Sequence, residues 1–374
     1  LSGTTFRDLS SSPTATFSGI GLGGTLGSYT LTYSATGLTD ATQSISLAHG
    51  TATTLELIAP STADNSRTIS TNVVVRLKDI DGNLVTTGTP TVTLSISDAT
   101  ISGTAVRNLA SGEISFPGLK FVGLTGSKTL SATITSPVAL TTTTPVQLSF
   151  GDATKLVVTT QASGAVNRQL FTTQPAVTVQ DVSGNPVTSF SGTINLSVSP
   201  ADAVLSGTTS RVLSGSAVAY FDDLALNGKI GNYTLTFESS TLASATQSIS
   251  VAHGAATSLT VSVPASAVNN QGITDVVVRV LDQDLNLVTT GTPSISLAGS
   301  SSELTGTLVR NASQGIATFP GLKFIGEIGS KNVTAAASSL SLTSLTSTVN
   351  LTYGVATQMV LSTPASGAVN RMTF

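Results

Sequence analysis

Two pairs of carboxylates spaced two residues apart, Asp79 with Asp81 and Asp282 with Asp284, each followed by an asparagine (Asn83, Asn286), are the best-defined candidates for chemistry in this chain. Oxygens so spaced on one turn can share a divalent cation, and calcium takes such ligands. A calcium site, however, asks for about six or more oxygens. The third occurrence, Asp181-Val-Ser-Gly-Asn185, has Ser183 in the second place and no other acid close by. A local role fits all three, because Asp and Asn side chains hydrogen-bond nearby backbone groups and fix tight turns. No residue is therefore assigned as a metal ligand, and calcium at Asp79/Asp81 and Asp282/Asp284 stays open.

Other polar residues recur with the same regularity. Arg7, Arg107, Arg211 and Arg310 hold one place in a repeated S/T-G-T-x-x-R string, which suits a brace to a carboxylate or to carbonyls. Lys120 and Lys323, inside F-P-G-L-K-F, raise an isopeptide crosslink, against which Ala225 stands at the matching place of the other repeat type. His49 and His253 precede glycines, where Phe150 and Tyr353 stand in the alternate repeats, and packing between neighbours accounts for them. With two histidines, no cysteine and sparse acids, no nucleophile, base and orienting group assemble into a distinctive site. The expectation is a chain that is no enzyme, with no catalytic residue and no cofactor.

The elements that must position these residues are set by repetition. G-x-A-T occurs at Gly50, Gly151, Gly254 and Gly354, about a hundred residues apart, the mark of a tandem array. Two repeat types alternate: residues 1–50 match 205–254 (type A), and 51–151 match 255–354 (type B). The expected organisation is 1–50, the C-terminal half of a type A domain; 51–151, type B; 152–254, type A; 255–354, type B; and 355–374, the first strands of a further type A domain. On this reading the chain is a window on a longer array.

Within each repeat the apolar residues alternate at period two. Val73, Val75 and Leu77 interleave with Val74, Arg76 and Lys78, and Val276, Val278 and Val280 repeat the pattern. Val177 and Val179 lead into a turn at Ser183-Gly184-Asn185, and Tyr233, Leu235, Phe237, Ile249 and Val251 mark later strands. About seven strands with turn signals every ten residues or so predict an all-β fold: immunoglobulin-like antiparallel sandwiches in tandem. Without cysteine no disulfide can staple them, so each must rest on its own core.

Composition narrows the function classes. A net charge of −3 with no basic run gives no electrostatic footprint for nucleic acid. No apolar stretch approaches the length of a membrane span. Aromatics are only 5% and Trp is absent, which disfavours sugar binding by stacking. Asn-x-Ser/Thr sequons at Asn195, Asn232, Asn311, Asn332 and Asn350 are as frequent as a Ser/Thr-rich chain produces by chance.

The run from Asp152 to Val198, with its opening A-T-x-L-x-V strand, its D-x-x-G-N turn and the later Tyr233-Thr-Leu-Thr strand, resembles the bacterial Ig-like repeats of large surface adhesins and related secreted arrays. The resemblance covers every repeat, although Asp282-Gln-Asp-Leu-Asn286 lacks the turn glycine. It implies a stiff rod, stalk or fibre outside a bacterial cell, with neighbouring repeats, and other copies of the chain in a fibre, as partners. The alternatives are adhesin modules that grip a host receptor or glycan, and Ig-like decoration of a phage virion or tail. The junctions fit stiffness, since the last strand of each repeat passes through a glycine into the next.

Overall fold

A computed structural model describes residues 1–374 except 301–302, 343–344, 364–365, 368–369 and 372–374. The fold is all-β, built of immunoglobulin-like sandwiches without disulfides, and no α-helix occurs among the described residues. In residues 51–151 one sheet pairs Thr54–Ile58, Val73–Lys78 and Glu113–Phe116. The facing sheet runs in the order Thr62–Asp64, Leu140–Ser149, Gly126–Ile134, Thr91–Ile96, Val106–Asn108. Residues 255–354 repeat both sheets in the same order. In residues 152–254 the two layers join into one seven-stranded sheet through a single bridge between Lys155 and Ala243.

The alternation read from sequence explains the layers. Val73, Val75 and Leu77 are buried while Val74, Arg76 and Lys78 are half-exposed, so one face of the strand enters the core. Val92, Leu94, Leu130, Ala132, Val146 and Leu148 meet that face from the other sheet. Equivalent clusters form around Phe221 and Phe237, whose ring centroids lie 5.5 Å apart, and around Phe319 and Phe324. Burial of each such ring contributes roughly 1.5–3 kcal/mol, which lets a repeat dispense with disulfides.

Two details differ from the expectation. The sandwiches are not wholly antiparallel: Thr62–Asp64 pairs in parallel with the end of Leu140–Ser149, and Ser266–Val268 does so with Leu345–Thr352. The chain crosses from one sheet to the other soon after its first strand, and this direction is what lets it join the last strand. The connections are longer than a single glycine, since residues 150–154 and 252–257 lie between the flanking strands. In residues 1–50 only Gly27–Tyr33 and Ala41–Leu47 pair as strands, and Tyr29, Tyr33 and Ile45 remain exposed. Residues 355–363 carry no strand, with Met359, Val360 and Leu361 exposed, and part of the expected strand region that follows lies outside the described residues.

Candidate functional site at the joints between repeats

Each recurring aspartate sits where two repeats meet. Asp181 closes the strand Ala176–Gln180, and the turn Val182-Ser183-Gly184 folds Asn185 back toward it. Its Oδ1 accepts the N–H of Ser183 (2.9 Å) and of Asn185 (2.9 Å), the local turn role foreseen from sequence. Its Oδ2 does something else. It accepts the N–H of Gly151 (2.9 Å), in the connection, and the Nδ2 amide of Asn65 (2.7 Å), which belongs to the preceding repeat. Asn185 adds its own Nδ2 at 2.8 Å.

Two asparagines complete the joint. Asn185 donates from Nδ2 to the Gly123 carbonyl (3.0 Å) and accepts at Oδ1 from the Thr125 N–H (2.8 Å), so its side-chain amide mimics a backbone partner for the preceding repeat. Asn65 accepts the Gly123 N–H at Oδ1 (2.9 Å). Asp181, Asn65 and Asn185 are all buried. A buried polar group left without a partner costs about 1–3 kcal/mol, so the network matches geometry on both sides of the joint.

The joint at Gly254 has the same construction. Asp282 accepts from the Gly254 N–H (2.9 Å), Asn167 Nδ2 (2.9 Å), and the N–H groups of Asp284 (3.0 Å) and Asn286 (2.9 Å). Asn286 bonds the Gly228 carbonyl (2.8 Å) and the Ile230 N–H (3.0 Å), and Asn167 accepts the Gly228 N–H (3.0 Å). At Gly50, Asp79 accepts the glycine N–H at 2.9 Å and Asn83 reaches Gly24 and Leu26. At Gly151 and Gly254 the glycine is required for space: a Cβ on Gly151 would lie 2.1 Å from the Asn65 carbonyl oxygen, and one on Gly254 would lie 2.9 Å from that of Asn167.

Donors facing the carboxylates control their acidity. Burial pushes the Asp282 carboxyl up, but the bonds from Asn286, Gly254 and Asn167 together outweigh it and hold it at about 2. Asp181 is lowered in the same way against burial by Gly151, Asn185 and Asn65. Asp79 is lowered chiefly by the Gly50 N–H. All three carry negative charge at neutral pH and meet only N–H groups.

The other singled-out residues fall outside this network or at its edge. Asp284 is lowered first by Arg168, which donates from Nε at 2.6 Å and from Nη2 at 2.7 Å across the joint. Asp81 accepts the Gly24 N–H at 3.2 Å. Among the described residues no group of three or more His, Asp or Glu is placed to hold a metal ion. His49 and His253 each place Nδ1 2.9 Å from the carbonyl of the glycine that follows. Arg107 bonds the Ser115 carbonyl and Arg211 bonds Asp222, as a brace should, but Arg7 and Arg310 are exposed. Pro117-Gly118 and Pro320-Gly321 stand where type A has Asp222 and Asp223, so neither Arg107 nor Arg310 has the carboxylate partner of Arg211. Lys120 and Lys323 are also exposed, unsuited to a buried crosslink.

Asn65 and Asn167 are not among the residues singled out from sequence, although a signal exists. An asparagine recurs at Asn65, Asn167, Asn269 and Asn370, each two residues after an alanine. The residue following it takes a left-handed backbone at Ser66, Arg168, Asn270 and Arg371. Asn269 shows the preceding-repeat half of the arrangement, bonding Gly326 through both its amide N and O.

No family model matches the sequence, and no curated protein matches it. Solved structures resemble the fold at low identity. The Escherichia coli adhesin FdeC is 17% identical over 82% of this chain and 100% of its own, with a TM-score of 0.35. The surface layer protein SbsC, domains 4–9, is 17% identical over 87% of this chain and 54% of its own, with a TM-score of 0.24. A β-glycosidase from Bacteroides vulgatus is 14% identical over 53% of this chain, with a TM-score of 0.25, and the match spans 24% of the enzyme's length.

Proposed function

We propose that this chain is a structural segment of a long extracellular protein of the bacterial surface, a row of sandwich domains at 51–151, 152–254 and 255–354 held as a stiff rod or stalk. The observation that carries this reading is the buried Asp–Gly–Asn network, repeated at Gly151 and at Gly254 with the same partners. A flexible tether would leave these polar groups to water, whereas here the connecting glycine and both flanking repeats share one carboxylate. Stiff joints separate the ends of an array and hold whatever it carries away from its base. The Ig-like resemblance of the sequence supports placing such an array outside the cell. The hydroxyl-rich, sparsely charged composition, with only 9% charged residues, suits a surface that presents no strong field to its surroundings.

The absence of cysteine makes a direct test simple. Spin labels on Thr93→Cys and Thr193→Cys, both exposed in neighbouring repeats, report the inter-repeat distance by double electron–electron resonance. A stiff joint gives one narrow distance distribution, and the Asp181→Ala background broadens it. A broad distribution in the otherwise unchanged chain would refute the rod.

A further inference from the structure

The three complete repeats treat one place beside the joint differently. In residues 152–254 the half-buried rings of Phe150 and Phe190 pack there against the core, leaving a cleft of about 500 Å³ rimmed by Asp64, Arg67 and Asp152. In residues 255–354 the position of Phe190 is Gly291, and Leu340, on the short 3-10 turn Ser338–Leu340, lines what remains, about 420 Å³. In residues 51–151 the matching residue is Gly88, and Pro137 stands where residues 255–354 have Leu340. The cleft beside Gly50 there measures about 950 Å³.

Its walls define what fits. Ala52, Leu77, Val85, Ile134, Val138 and Leu140 line it, with Leu77, Val85 and Ile134 forming a buried floor. The rim carries His49, Thr87, Thr89 and Ser136, and no Asp, Glu, Lys or Arg is among the lining residues. A charged ligand would lose its hydration here without an ionic partner. The volume lies in the range of small-molecule sites, which combine apolar walls with a few polar groups. The aromatic ring that fills the equivalent place in the next repeat shows the shape such a wall accepts.

We propose that the cleft beside Gly50 is a binding site for a neutral, ring-bearing, mainly apolar small molecule. The ring sits on Leu77, Val85 and Ile134, and its polar substituent faces the hydroxyls of Thr87, Thr89 and Ser136. This goes beyond the rod reading and does not depend on it. The probe is N-phenyl-1-naphthylamine, a neutral fluorophore that brightens in apolar surroundings, titrated into the full chain. One saturable site per chain is expected. Thr87→Trp and Val138→Asp, both on the exposed rim, should each weaken binding at least tenfold, whereas Thr290→Trp at the narrower cleft should leave it unchanged. Circular dichroism of each variant confirms that the fold persists. Non-saturating fluorescence, or equal affinity in all three variants, overturns the proposal. So does sedimentation showing that the chain self-associates through this face and that Val138→Asp dissociates it, since the occupant would then be a second copy.

Discussion

Replacing Asp282 by Asn keeps the shape of the side chain and removes only its charge and half of its acceptor capacity. In the native joint the carboxylate receives the N–H groups of Gly254, Asp284 and Asn286 and the amides of Asn167 and Asn286. Whichever way the new amide turns, one set of donors faces an NH2 group. The acidity sets a scale for the loss. Holding the carboxyl at about 2 rather than 3.8 corresponds to about 2 kcal/mol of preference for the charged form. Net hydrogen bonds to a charged group are worth about 1.5–3 kcal/mol, so the joint should lose about 2–3 kcal/mol against local opening. At a factor of ten per 1.4 kcal/mol, the Gly254 amide should exchange with deuterium about 30- to 140-fold faster. Amide exchange followed by NMR or mass spectrometry reads this directly, and Gly151, whose partner Asp181 is untouched, is the internal control. An exchange rate at Gly254 within threefold of the native one would refute the assignment of Asp282 as the acceptor that holds this joint.

Three further outcomes follow from the same geometry. Asp79, Asp181 and Asp282 have folded-state pKa values below their unfolded ones, so their contribution is complete above about pH 4 and is lost as pH falls through the folded values, about 2 for Asp282; distances between spin labels placed across the Gly254 joint should stay narrow from pH 7 to 4 and broaden toward pH 2. Gly151→Ala forces a methyl group onto the Asn65 carbonyl and should destabilise its joint by at least about 2 kcal/mol, whereas at Gly50 the nearest atom to a Cβ is 3.7 Å away and Gly50→Ala should stay within about 0.5 kcal/mol in urea unfolding. Asp284→Ser, which copies Ser183 of the other repeat type, removes a part-exposed ion pair and should cost less than about 1 kcal/mol, measured by thermal unfolding against Asp282→Asn.

Much of the fold was legible because its causes are local. Val73, Val75 and Leu77 announce a strand with one buried face through period-two alternation, and the repeated strings place that strand in each copy. The turn function of Asp181 and Asn185 was legible for the same reason, since a side chain bonding a backbone group two to four residues away leaves its mark in spacing. The outward half of their role was hidden. Asn65 lies far from Asp181 in sequence, and only the packing of one repeat on the next brings them to 2.7 Å. Recurrence of the asparagine was visible, but recurrence alone does not distinguish a turn former from a joint residue. The arginines show the opposite failure: one repeated position serves different ends, with Arg211 on Asp222, Arg107 on the Ser115 carbonyl and Arg310 exposed. The cleft beside Gly50 depends on the missing ring at Gly88, a difference between copies rather than a pattern within one.

The parallel pairing of Thr62–Asp64 with Gln147, Leu148 and Ser149 bears on how a repeat responds when its two ends are pulled apart. The early strand follows Thr54–Ile58 on the path from the upstream connection at Gly50, and its partner runs out to Gly151. Tension along the chain therefore drags the two strands past one another lengthwise and loads their backbone bonds together. A hairpin pulled from its open end would instead yield one pair at a time. The sandwiches at 51–151 and 255–354 thus carry, between entry and exit, a shear clamp in the path of the force.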